Sequence, residues 1–138
     1  MASGDATASA KWSPKRRTEL ARRSEALVAT LLEYRGFEIL GCNVRVGRLE
    51  IDVVARRGAL VVVCEVRSRT KGDPVHPAET IDRKKLERVR RATAIWLREQ
   101  KLGRVRARID AAAVTFDGPG GAPRVEYYEN VSYPMRHV

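Results

Sequence analysis

Residues 49–69 read LEIDVVARRGALVVVCEVRSR, and the reading of this stretch decides the fold. Leu49–Ala55 alternates Glu50 and Asp52 with Ile51 and Val53, the period of a strand. Arg57-Gly58 can turn the chain, and Leu60–Val66 is β-branched almost throughout, as expected of a strand covered on both faces. The spacing predicts a hairpin. With Arg57-Gly58 as a two-residue turn, Glu50 falls opposite Glu65 and Asp52 opposite Val63, so the polar residues of both strands share one face.

Carboxylates about 5 Å apart across a ladder repel by roughly 3 kcal/mol at an effective dielectric of 20. Glu65 also ends an apolar run, where an unpaired charge is costly to desolvate. Arg67 on the face of Glu65, or Arg48 opposite Arg67, could neutralise them. The other solution is a divalent cation, because oxygen-rich acidic sites suit magnesium or manganese.

Working outward, Ser13-Pro14 is a helix start, and Leu20, Leu27, Val28, Leu31 and Tyr34 recur at helical spacing over 14–35, until Gly36 stops the run. Phe37–Gly41 reads as a short strand. Downstream, a loop with Gly72, Pro74 and Pro77 leads to Asp82, which can cap a second helix to about Lys101. That helix buries Leu86, Val89, Thr93, Trp96 and Leu97 and turns Lys84, Arg88, Arg91 and Arg98 outward. A fourth strand within 104–116 alternates Arg104, Arg106 and Arg108 with Val105, Ala107 and Ile109. Asp117–Pro123 is a turn, and Arg124–Asn130 can return as a fifth strand. A helix between the third and fourth strands implies a parallel crossover joined to an antiparallel meander, hence a mixed sheet. Residues 1–12 read as a disordered lead and 13–138 as a single domain.

The 138 residues hold 27 Lys plus Arg against 17 Asp plus Glu, a formal charge of +10. Residues 83–108 carry 11 bases and 2 acids, and residues 11–23 carry 6 and 1. Such clustering suits a polyanion, because counterion release rewards it, and nucleic acid becomes the expected partner. No apolar run approaches the roughly 20 residues of a membrane helix and no secretory h-region is evident, so a cytoplasmic address with no membrane partner is expected. Cys42 and Cys64 fit neither a redox pair nor a zinc knuckle and read as reduced thiols. His76 and His137 lie far from the acids in sequence, Trp12 has no evident role, and Gly118, Gly120 and Gly121 lack the Lys-Ser/Thr of a P-loop.

The segments EIDVV and VCEVRSR, followed by a basic helix with Lys85 and by Arg108-Ile109-Asp110, resemble the YraN-type bacterial proteins of the restriction-endonuclease-like PD-(D/E)XK superfamily, which are Holliday-junction-resolvase-like. The resemblance implies an α/β fold with an αβββαβ core, a mixed central sheet flanked by helices and here an extra C-terminal strand. It implies a nuclease hydrolysing DNA phosphodiesters, structured or branched DNA among them, with Mg2+ or Mn2+, and it allows a homodimer. Asp52 and Glu65 match the metal carboxylates, Glu50 and Glu25 the assisting acids, and Arg67 the position of the catalytic lysine. Lys85, with Lys84, Arg88, Arg91 and Arg69, would grip the flanking backbone. Leu49 stands where the family has glycine. Arginine at position 67 cannot act as a general base, though it offers phosphate a planar fork. The alternatives are a non-cleaving nucleic-acid-binding module and an adaptor for an acidic protein.

Overall fold

The computed structural model describes residues 14–70, 83–118 and 121–131, excluding the side chains of residues 14–18. The expected lead at 1–12, both helix caps (Ser13 and Asp82), Trp12 and the two histidines lie outside the described residues. Helix α1 spans Pro14–Tyr34. Gly36, at φ 91°, closes it with two backbone bonds, Gly36 N–H to Glu33 O and Phe37 N–H to Leu32 O, each 2.9 Å. That left-handed glycine satisfies carbonyls the helix would otherwise leave bare.

The strands β1 (Glu38–Val46), β2 (Leu49–Arg57), β3 (Leu60–Thr70), β4 (Arg106–Phe116) and β5 (Arg124–Tyr128) form one sheet in chain order. β3 and β4 are parallel and every other pair is antiparallel, so the sheet is mixed as expected. Helix α2 (Arg83–Gln100) makes the crossover between the parallel strands. The architecture is α/β and consistent with a restriction-endonuclease-like core, with β5 added on the outer side of β4.

Two apolar layers explain the valine-rich centre. Val28, Leu32 and Phe37 pack on Val53, Ala55, Val62, Cys64, Ala112 and Val114. On the other face Leu86, Val89, Ala92 and Trp96 of α2 cover Ile51, Val54, Val61, Val63, Ile109 and Ala111. Successive residues of β3 thus enter opposite cores, which is why Leu60–Cys64 is continuously apolar.

Three expectations are corrected. First, the turn of the central hairpin is Gly58-Ala59, since Arg57 pairs with Leu60. Gly58 holds φ 61°, the positive value a tight hairpin needs at its first central position and one no arginine favours. Second, this moves every partner by two residues: Glu50 is not opposite Glu65, and Asp52 is not opposite Val63, which pairs with Val54. Third, β1 runs well past Gly41 and β3 past Val66. β1 is an edge strand with exposed Cys42, Asn43 and Arg45, so the alternation that marks a covered strand is missing there.

A candidate active site at a fork in the sheet

The β2–β3 ladder ends at Val53 and Cys64, whereas β3 stays paired with β4 through Thr70. β2 leaves its neighbour just before that pair, and the sheet forks. One position beyond the last ladder pair, Asp52 faces Glu65. Asp52 Oδ2 accepts the Val66 N–H at 2.8 Å, so a side chain replaces a backbone carbonyl in the opening.

Glu65 is 6% exposed and projects toward α2, where Lys85 Nζ lies 3.5 Å from its Oε1. Its Oε2 is buried without a hydrogen-bond partner. Burial, with the charge of Asp52 second, pushes the Glu65 carboxyl up to about 7, against the pull of Lys85 and, last, of the Asp52 backbone amide. Burial likewise raises Asp52, opposed by the Val66 amide and by the charges of Lys85 and Arg67. The pair is short of positive charge, and a naked buried oxygen marks the place.

Lys85, expected to grip flanking backbone, is instead the cation beside the carboxylates. Arg67, the next residue on the face of Glu65, is exposed and forms no ion pair among the described residues. Neither Arg67 nor Arg48 pairs with the acids. Glu50 is exposed and sits across from Arg45 in the β1–β2 ladder, acting on Asp52 only through space.

Glu25 reaches the site from α1. It is 7% exposed and its Oε1 accepts the Asn43 Nδ2–H at 2.7 Å. Burial raises its carboxyl, Asn43 lowers it, and Asp52 and Glu50 raise it again, so the three acids share one field. Asn43 was not singled out by the sequence. The available signal was Gly41-Cys42-Asn43, a glycine and an asparagine in a strand: Asn43 holds φ 54° beside the β1 bulge, a conformation asparagine tolerates. The neighbouring Ser24 hydroxyl lies 2.6 Å from that of Ser68, tying α1 to β3.

The other expected phosphate-gripping residues separate. Lys84, Arg88 and Arg91 are exposed on the outer face of α2. Arg69 is 9% exposed beside Tyr128, and its buried Nε has no hydrogen-bond partner, so it is unlike the three solvent-facing cations.

Among the described residues no three His, Cys, Asp or Glu side chains close into a metal cage. Asp52 and Glu65 nevertheless suit a hard cation: the donors are all oxygen, one is unsatisfied, and Mg2+ ordinarily keeps several waters while binding only one or two carboxylates.

Fold and site together describe an α/β protein of restriction-endonuclease-like layout with an acidic pair at a strand fork. The chain belongs to the family described as "Uncharacterised protein family UPF0102", whose model matches residues 24–114. This is the family of the YraN type. A UPF0102 protein of Sorangium cellulosum is 45% identical over 113 residues, covering 80% of this chain and 78% of the relative. One from Anaeromyxobacter dehalogenans is 43% identical over 112 residues, covering 81% and 82%. An Arthrobacter relative is 39% identical over 112 residues, covering 81% and 94%. No helix among the described residues is long and apolar enough to cross a membrane.

Proposed function

We propose that this protein is a divalent-metal-dependent nuclease that hydrolyses DNA phosphodiesters at the fork between β2 and β3. The observation that carries the reading is the buried, unpartnered Oε2 of Glu65, whose carboxyl lies in the field of Asp52, on the side of the fold where α2 carries its cations. Asp52 and Glu65 would hold Mg2+ or Mn2+, which supplies Lewis acidity toward a phosphate oxygen and acidifies bound water.

Each side chain then has a task. Asp52 is oriented by the Val66 amide, which keeps one oxygen in place. Lys85 brings an ammonium to Glu65, beside the carboxylates that Arg67 does not reach. Lys85 is therefore the better candidate to position the attacking water. Arg67 offers its planar fork to the charge that develops on phosphorus. Glu25, held by Asn43, and Glu50 at the rim assist through water. Lys84, Arg88 and Arg91 supply a screened attraction for flanking phosphates.

The second reading, a module that binds nucleic acid without cutting it, is favoured by one observation: arginine occupies the lysine position of the VCEVRSR segment. Labelled single strands, duplexes, flaps and four-way junctions, offered with Mg2+ or Mn2+, separate the two. Cleavage that drops at least ~100-fold in Asp52→Ala, Glu65→Ala and Lys85→Ala supports the nuclease, the order expected for loss of a positioned acid–base group. Cleavage that survives the first two substitutions overturns the site. Salt-dependent binding without cleavage supports the module. Arg67→Lys is expected to raise cleavage, and an unchanged or lower rate counts against Arg67 in the lysine position.

A further inference from the structure

The end of the sheet opposite the fork carries a second basic surface, assembled from three separate parts of the chain. β2 ends in Arg56-Arg57, Arg35 follows α1, and β4 begins at Arg106 with Arg104 just before it. Arg106 is brought to the hairpin by its pairing with Leu60 and by its N–H on Ala59 O at 2.9 Å. Leu60 and Glu65 are five positions apart on β3, about 16 Å at 3.3 Å per residue.

Three of these arginines are held by neutral groups. Arg57 Nη1–H donates to Arg35 O at 2.9 Å and the guanidinium lies 4.4 Å from the centre of the Phe37 ring. Arg56 Nε–H donates to Gly58 O at 2.8 Å. Arg35 stands over the Tyr127 ring at 5.4 Å. None of the five is ion-paired among the described residues, although Glu38 is across from Arg56 in the ladder. Arg108, two residues along β4, is by contrast fully engaged with Asp110. Carbonyls and rings fix the guanidinium planes without cancelling their charge. Like charges gathered in this way are unfavourable alone and are relieved by a polyanion whose phosphates match the arginine fork.

Helix α2 connects the two ends. It starts at the fork with Lys85 on Glu65, and its last turn, with Arg98, leads through Lys101 to Arg104. Its 18 residues span about 27 Å, the length of about 8 base pairs. Resting on the nucleic-acid reading above, we infer that Arg56, Arg57, Arg104 and Arg106, at the rim where the hairpin end meets the end of α2, form a second backbone-binding surface for the same DNA whose phosphodiester lies at the fork.

The test uses the full chain and fluorescein-labelled DNA hairpins with stems of about 4 and 16 base pairs, about 14 and 54 Å, shorter and longer than the distance from the fork to the hairpin end, titrated over a range of salt. The double variant Arg104→Gln/Arg106→Gln should lower the slope of log K against log salt by about 2 on the long stem, since each phosphate left without its arginine subtracts about 0.9. Arg56→Gln alone should lower it by about 1. Both should leave the short stem's affinity within about 2-fold and the urea midpoint unchanged, because the short stem ends before it reaches these arginines. A wild-type slope in all hairpin-end variants, with a reduced slope in Lys84→Gln/Arg88→Gln/Arg91→Gln, overturns this surface while leaving DNA binding intact. Equal losses on both stems overturn its distance from the fork. Tighter binding of polyglutamate than of either stem, abolished in the same variants, overturns it in favour of an acidic protein. Salt-independent or absent binding of the wild type to both stems defeats the underlying reading as well.

Discussion

Two buried carboxylate centres lie on adjacent strands of the same sheet, and they are built in opposite ways. Asp110 on β4 is 0% exposed and saturated. It accepts Arg108 Nε–H at 2.9 Å and Nη2–H at 3.0 Å, the Tyr127 hydroxyl at 2.5 Å and the Asn130 N–H at 2.8 Å. Glu65 on β3, almost as deeply buried, has a lysine at 3.5 Å on one oxygen and no hydrogen-bond donor on the other. A buried charge with every lone pair engaged is a structural tie, here fastening β5 to β4. One left short of donors waits for a ligand. Depth of burial alone does not distinguish them; the count of donors does.

The largest expected effect breaks the saturated centre. Asp110→Ala leaves the Arg108 guanidinium without its bidentate partner and strands the Tyr127 hydroxyl and the Asn130 amide, so it should cost about 3–5 kcal/mol. Urea unfolding measures it, and a cost below about 1 kcal/mol, the worth of one ordinary hydrogen bond, would remove the distinction between the centres. Burial also holds the Tyr127 phenol far above its usual range, so that hydroxyl remains a donor at any working pH.

Glu65→Gln should act with the opposite sign. The Glu65 carboxyl is raised from 4.5 to about 7 by folding, so the native state holds a proton that the unfolded chain has released between those pH values. Stability linked to this group is therefore full below about pH 4.5, declines as pH rises, and is lost above about pH 7, a difference of up to about 3 kcal/mol. The variant, permanently neutral, should match the wild type near pH 4.5, exceed it by up to that amount above about pH 7, and lose any rise in melting temperature that Mn2+ gives the wild type. Parallel stability–pH curves for the two proteins would show that Glu65 does not carry the penalty.

The smallest effect concerns the third acid. Asn43→Gly keeps the left-handed backbone and deletes the 2.7 Å bond to Glu25, which should cost about 1 kcal/mol. Asn43→Ala should cost about 1 kcal/mol more, because a Cβ without a local polar group is strained at φ 54°. Equal denaturation midpoints for the two variants would place the importance of Asn43 in its hydrogen bond alone.

The sequence by itself determined the element order, the mixed sheet, the amphipathic basic helix and the acids of the fork, because periodicity and residue chemistry are local and survive without neighbours. Its faults were of another kind. Placing the turn at Arg57-Gly58 put Glu50 across from Glu65, and only pairing between strands shows that Gly58 begins the turn and that the register carries Glu50 two residues away from Glu65. Lys85 reads as one more cation of the helix until the crossover sets α2 over the carboxylates. Arg35, Arg56 and Arg57 belong to a stretch whose charges nearly cancel along the chain, yet the β3–β4 pairing and the Arg57–Arg35 bond set them at the same end of the sheet as Arg106. Which oxygen goes unsatisfied and which cations share a rim depend on distances between residues far apart in sequence, and the tertiary structure alone decides them.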